Sequence, residues 1–257
     1  MKISIITVAG VSSRFNKDVP EDEKILKCLY WKDNPKNTLI YKMLEKLSYC
    51  DKIIIVGGYK FQNLVDYIDV NVPENLKEKI ILAYNDHFSD LSSGYSLYLG
   101  IKEALDNFDS ISEILFVEGD LDIDFESFSK VIASSKNVLT YNHEPIYSNK
   151  AVVLYQNEND EYHYLFNSDH GLLSIDEPFK AIFNSGQTWK FQNVELVKIA
   201  NDNFKENLIE DTNLGIIQKY FDMLENESIE IIPLKHWVNC NTRKDYEIIK
   251  NYWENEL

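Results

Sequence analysis

Short apolar runs at residues 3–8, 52–56, 79–83 and 113–117 alternate with amphipathic stretches through the first half of the chain, and this alternation restricts its fold more than any other feature. Runs rich in Ile and Val, separated by segments of helical periodicity, form the inner strands of a mostly parallel sheet whose faces are covered by helices. Residues 38–47 carry apolar side chains at 39, 40, 43, 44 and 47, which is one face of a helix, and Thr38 stands at its N-cap position. The stretches 61–68 and 95–105 behave similarly. The second half changes character: 151–155 and 162–166 read as an antiparallel pair about a turn at 157–160. Helical patterns follow at 194–200 and 208–224, then a strand at 229–233 and a last helix over 243–253. The prediction is an α/β chain with a mixed, mostly parallel central sheet flanked by helices and an inserted β-rich part. No repeat or linker divides it, so residues 1–257 read as one domain whose halves meet near residue 140.

The first run breaks into Ala9-Gly10-Val11-Ser12-Ser13-Arg14, and Lys27 follows thirteen residues after the arginine. Gly10 admits a phosphate close to the main chain, and Ser12 and Ser13 add small side chains and N–H groups beside it. Arg14 forks onto two oxygens while Lys27 acts as a mobile point charge, a combination suited to a polyphosphate. The fourth run ends in Glu118-Gly119-Asp120-Leu121-Asp122-Ile123-Asp124. Ligands of open α/β sheets bind beyond the carboxyl ends of the strands, so these acids and the Gly10 loop fall along one edge. Asp120 is the first candidate ligand for a hard divalent ion such as Mg²⁺, with Asp122 beside it, while Asp124 reads as the cap of the helix that begins at Phe125.

The formal net charge of −16, from 42 acidic and 26 basic residues, argues against nucleic-acid and anionic-membrane partners. It would also repel a nucleotide unless cations gather locally, which again predicts a divalent metal. Cys28, Cys50 and Cys240 are odd in number and widely spaced, so they indicate neither a disulfide framework nor a zinc site. No apolar run approaches the roughly 20 residues needed to cross a bilayer. With a strand beginning at residue 2 in place of a leader, the expected location is the cytoplasm.

The opening segment resembles the nucleotidyltransferases that join a nucleoside triphosphate to a phosphorylated small molecule, whose signature reads roughly Leu-Ala-Ala-Gly-x-Gly-x-Arg, then Pro-Lys. Ser12 stands at the second glycine of that signature and Leu26 at the proline. The resemblance implies a Rossmann-like fold with a nucleotide-binding half (1–140) and an acceptor-binding half (141–257), Arg14 and Lys27 as catalytic residues, and a metal at the Gly-Asp pair ending in Asp120. The family's second metal aspartate precedes a Thr-x-x-Asp-Tyr/Leu segment, and here that position is Asn241. Asn85-Asp86-His87-Phe88, the Ser92-Ser93-Gly94-Tyr95-Ser96-Leu97-Tyr98-Leu99 helix and Gly57-Gly58-Tyr59-Lys60 are most similar to the bacterial phosphocholine cytidylyltransferases. That likeness assigns Ala9 to Arg14, Gly58, Asn85, Ser92, Ser93 and Gly94 to the nucleotide, with the two serines as caps of the following helix. It implies CTP as donor, a phosphocholine-like or phosphorylated amino acid or amide acceptor, release of pyrophosphate, and a place in cell-surface polysaccharide decoration, and it is compatible with a homodimer. Lys150, Trp189 and Trp237 are acceptor-side candidates, the tryptophans together with Tyr147 as a cage for a quaternary ammonium. A sugar-1-phosphate nucleotidylyltransferase would share the cradle, and a non-catalytic nucleotide sensor would keep it without turnover.

Overall fold

A computed structural model of the chain describes residues 1–148, 152–165 and 173–255. Strands β1 (Lys2–Val8), β2 (Lys52–Gly57), β3 (Ile80–Tyr84) and β4 (Glu113–Glu118) realise the four apolar runs, followed by a short β5 (Leu121–Ile123). Further strands are β6 (Asn137–Asn142), β7 (Val153–Asn157), β8 (Tyr162–Tyr164), β9 (Phe179–Phe191), β10 (Ile229–Leu234) and β11 (Trp237–Asn239). The helices are α1 (Leu39–Lys46), α2 (Phe61–Asn71), α3 (Glu74–Lys77), α4 (Ser93–Asn107), α5 (Phe125–Ala133), α6 (Val194–Asn207), α7 (Leu214–Phe221) and α8 (Arg243–Asn255).

One sheet runs β10-β6-β9-β4-β1-β2-β3. β1 pairs parallel with β2 and β4, β2 with β3, and β6 with β10, whereas β9 lies antiparallel between β4 and β6. The expected mixed, mostly parallel sheet is therefore present. Its strands alternate between two apolar layers: Ile6, Ile55 and Val117 pack with Leu44 of α1, Phe128 of α5 and Ile249 of α8, while Ile5, Val56 and Phe116 pack with Leu97 of α4, Ala200 of α6 and Ile217 of α7. Burial on both faces is why these runs are apolar throughout. Thr38 caps α1 as expected, its Oγ1 accepting from the Tyr41 N–H at 3.2 Å, and Asp124 caps α5 through the Ser127 N–H at 2.7 Å.

β7 and β8 form the expected antiparallel pair, with Leu154 opposite Tyr164, and β7 also joins the edge of β9. Three elements depart from the sequence reading. Trp189, read as an acceptor-side candidate, lies instead in the inner part of the long strand β9. The helical pattern over 208–224 spans a junction, with Leu208 closing α6 and α7 starting only at Leu214. β5 and β11 pair antiparallel as a separate two-stranded ribbon, which lays residues 237–239 beside 121–123. Among the described residues no helix is long and apolar enough to cross a membrane.

Candidate active site

A cavity of about 300 Å³ opens at the carboxyl ends of β1 and β4, where the edge argument places it. Thr7, Val8, Ala9 and Gly10 form one side and Glu118, Gly119 and Asp120 another, with Lys27 between them. The register that aligns Thr7 with Glu118 holds the two strand ends level. The N-terminus of α4 closes the cavity with Ser92, Ser93 and Ser96, and Asn85 and Phe88 come from the loop after β3.

The loop leaving β1 turns at Ser12, whose φ of 55° lies in the left-handed region. That region is costly for a residue with a Cβ, which accounts for a glycine signature at this position in the family the sequence resembles. The serine adds a link of its own: its Oγ accepts from the Lys27 N–H at 3.2 Å. The Lys27 ammonium in turn meets Asp120 Oδ2 at 2.5 Å, with about four-fifths of each side chain buried. Ser12, Lys27 and Asp120 thus form one connected chain from the loop to the end of β4. The other oxygen, Asp120 Oδ1, is buried without a partner. An orphaned carboxylate oxygen at a polyphosphate-sized cavity fits a divalent cation that takes one or two carboxylates and completes its shell from phosphate and water. Among the described residues no group of three His, Cys, Asp or Glu side chains is arranged to hold a metal by itself.

Glu118, which sequence reading passed over in favour of Asp120, also lines the cavity. Its Oε1 accepts from Asn213 Nδ2 at 2.7 Å, and the Asn213 N–H reaches Ser93 Oγ at 3.3 Å, so the carboxylate is fixed from the α7 side. Burial and the neighbouring Asp120 charge push the Glu118 carboxyl up to about 7 despite the Asn213 hydrogen bond. The available signal was its position at a strand end, one residue before the Gly-Asp pair.

Other candidates are placed as follows. Asn85 is buried at the cavity wall, donating to Ser96 Oγ at 2.9 Å and accepting from the His87 N–H at 2.8 Å. Ser92 and Ser93 line the cavity, but neither side chain caps α4. Val11 and Ser13 face a neighbouring groove with Lys24 and Tyr59, and Arg14 is exposed on the same loop. Gly58 and Gly94 are close-packing positions: a Cβ at Gly58 would lie 2.4 Å from Phe88 Cβ, and one at Gly94 would lie 2.4 Å from the Asp211 carbonyl oxygen.

The structure does not bring Asp122 to the cavity. It is buried on the α8 side, where Oδ2 meets His236 Nε2 at 2.9 Å and Oδ1 accepts from Trp253 Nε1 at 2.9 Å, with Lys46 Nζ at 3.6 Å. β4 ends at Glu118 and the chain turns at 119–120 before β5 begins at Leu121, so the strand geometry that would have kept Asp122 on Asp120's side is broken. Asn241 lies close along the chain, since the Cys240 N–H donates to the Asp120 carbonyl at 2.8 Å, but it does not line the cavity. Trp189 is fully buried in the sheet core, stacked on Phe116 at 5.1 Å with its Nε1 donating to Tyr164 OH at 2.7 Å, so it cannot face an acceptor. Trp237 spends its indole N–H on the Gly186 carbonyl at 2.9 Å and packs against the core. No aromatic cage forms from Trp189 and Trp237. Lys150 lies outside the described residues.

A family model described as a domain of unknown function (DUF6564) matches residues 23–253. No curated protein matches the chain. Among solved structures it is similar to the CTP:phosphocholine cytidylyltransferase LicC from Streptococcus pneumoniae, with a TM-score of 0.65 and 15% identity over 98% of this chain and 99% of that one. The inositol-1-phosphate CTP transferase from T. maritima gives 0.65 and 15% over 97% and 95%. A UDP-glucose pyrophosphorylase complexed with UDP-glucose gives 0.69 and 15% over the whole of both chains. At these identities the likeness is one of fold, and the fold is that of the nucleotidyltransferases.

Proposed function

The chain belongs to the family described as a domain of unknown function (DUF6564), and from that premise we propose that it is a nucleotidyltransferase that joins CMP from CTP to a small phosphorylated acceptor and releases pyrophosphate. The observation that carries this reading is the connected Ser12, Lys27 and Asp120 set at the joined ends of β1 and β4, beside a cavity of about 300 Å³.

In the proposed reaction an acceptor phosphate oxygen attacks the α-phosphorus of the donor, a P–O bond forms, and the bond to the β-phosphate oxygen breaks with its electron pair leaving on pyrophosphate. No protein nucleophile is needed, so catalysis rests on positioning and charge. Ser12 holds the backbone of Lys27, and Asp120 holds its ammonium at the mouth of the cavity, poised for the charge growing on the α-phosphate. Arg14, exposed on the same loop, would fork onto the outer phosphates. Asp120 would hold Mg²⁺, and the ion when bound would neutralise phosphate charge and align donor with acceptor. Asn85 and the N-terminal turn of α4 bind the nucleoside part.

CTP and a phosphocholine-like or phosphorylated amino acid or amide acceptor rest on the sequence resemblance and on fold neighbours described as CTP enzymes. A sugar-1-phosphate acceptor is the second reading, favoured by the burial of Trp189 in the core and by the pyrophosphorylase likeness. Action in the cytoplasm, as a homodimer, for cell-surface polysaccharide decoration completes the proposal. Pyrophosphate release with Mg²⁺, crossing four ribonucleoside triphosphates with phosphocholine, phosphoethanolamine, phosphoamino acids and their amides, and sugar-1-phosphates, tests it. Release with CTP and an amine-bearing phosphate is expected, and Lys27→Ala should lower that rate by roughly 10²–10³-fold while the far-ultraviolet spectrum is kept. Release only with sugar phosphates would establish the second reading, and nucleotide binding without release across the panel would mean a sensor.

A further inference from the structure

Only two of the 26 basic residues are arginine, Arg14 and Arg243. The Arg243 guanidinium carbon lies 4.8 Å from the Tyr30 ring centre and 5.7 Å from that of Phe15. Phe15 directly follows Arg14, and Tyr30 ends the short helical turn that carries Lys27, its N–H donating to the Lys27 carbonyl at 3.2 Å. The chain reaches Arg243 just after passing Asp120, through the Cys240 hydrogen bond at 2.8 Å. Arg243 therefore leans on both loops of the cradle from a third side.

Among the described residues no carboxylate lies within 4.0 Å of Arg243, in a chain with 42 acidic residues, and its Nε is buried without an acceptor. It is also the first residue of the 13-residue helix α8, the end at which the helix dipole disfavours a cation. Cation–π contact with two rings holds a guanidinium without using any of its N–H donors. We infer that Arg243 is a second arginine of the donor-phosphate site, binding the β- and γ-phosphate oxygens together with Arg14 and Lys27. The inference rests on the nucleotidyltransferase reading. It also supplies positive charge two residues from Asn241, where the resembled family has an anionic metal ligand.

The two arginines allow a test on the unaltered protein. Modification by phenylglyoxal, followed residue by residue by mass spectrometry, should slow about tenfold or more at both Arg14 and Arg243 when CTP or inorganic tripolyphosphate is present with Mg²⁺. Protection of Arg14 alone would overturn the role of Arg243 and leave the cradle standing, whereas no protection at either arginine by any ribonucleoside triphosphate would overturn both readings. Calorimetric titration with tripolyphosphate covers the case of a poorly reactive Arg243. Affinity should fall roughly 10- to 100-fold in Arg243→Met and less in Arg243→Lys, which keeps the charge and is the fallback if the methionine variant does not fold. Unchanged affinity in a folded variant would reduce Arg243 to a staple between loop and helix.

Discussion

Ser12 shows how a single departure from a family signature is accommodated. Its φ of 55° costs a residue with a Cβ about 1–2 kcal/mol, and its Oγ recovers part of this by accepting the Lys27 N–H. Ser12→Ala keeps the strained backbone and loses the acceptor, so it should destabilise by about 1–2 kcal/mol, while Ser12→Gly removes both terms and should stay within about 1 kcal/mol of the parent in urea unfolding. An alanine variant as stable as the glycine one would show that the hydrogen bond carries no weight. Glu118 makes a second residue-level prediction. Its folded carboxyl holds a proton up to about pH 7, against an ordinary value of 4.5, chiefly because it is buried. Between those values the native state binds more protons than the unfolded one, so this group's contribution is complete below 4.5 and is lost as pH rises through 7. Glu118→Gln mimics the protonated form and should flatten the pH dependence of stability across that window; an unchanged slope would refute the assignment. At this scale the sequence was informative about charges that gather past the strand ends: Lys27, in a helical turn beyond β1, and Asp120, just after β4, do meet. It was silent on which way Asp122 points, because alternation depends on where the strand stops.

Elements were legible where one period ran uninterrupted. The β1 to β4 runs and α1 were read near their true limits, but β6 and β9 were missed. In β9 the buried stretch Asn184-Ser185-Gly186-Gln187-Thr188 looks like a loop because its polar groups are satisfied inside the sheet. Thr140 Oγ1 donates to the Thr188 carbonyl at 2.7 Å and accepts from the Thr188 N–H at 3.2 Å, and Asn142 Nδ2 donates to the Ser185 carbonyl at 2.8 Å across an irregular register. Buried polar groups of this kind carry no hydrophobic period for a sequence reading to find. Gly94 was read as room for a ligand, and the structure shows room for protein: a Cβ there would lie 2.4 Å from both the Asp211 carbonyl oxygen and the Phe204 ring. The carbonyl belongs to the backbone joining α6 to α7, so it yields less readily than a side chain. Gly94→Ala should therefore cost about 1–3 kcal/mol by overpacking and push the start of α4 into the cavity. Calorimetric titration with CTP should show weaker binding together with the lowered unfolding midpoint. Destabilisation without any loss of nucleotide affinity would mean that α4 does not position the donor.

Across the whole molecule β9 decides whether the two halves act as one body. It lies antiparallel between β4 of the first half and β6, the strand that itself crosses residue 140, so the sheet has no seam there. Trp189 of β9 stacks on Phe116 of β4 with an interplanar angle of 10°. Lys190 of the same strand is 1% exposed, donates to the Ile132 and Ser134 carbonyls at 2.8 and 2.7 Å at the end of α5, and pairs with Glu113 at 3.1 Å. Peeling the second half away would expose this lysine's unpaired partners and half of a stacked pair while leaving β4 as a bare edge, so a folded first half alone is a costly intermediate. The expected behaviour is a single cooperative transition in urea. Tryptophan fluorescence, which reports Trp189 among the four indoles, and far-ultraviolet dichroism, which reports the helices of both halves, should trace superimposable curves. A fluorescence change that precedes the loss of helix would show that the halves separate, and the second half would then be free to move against the first.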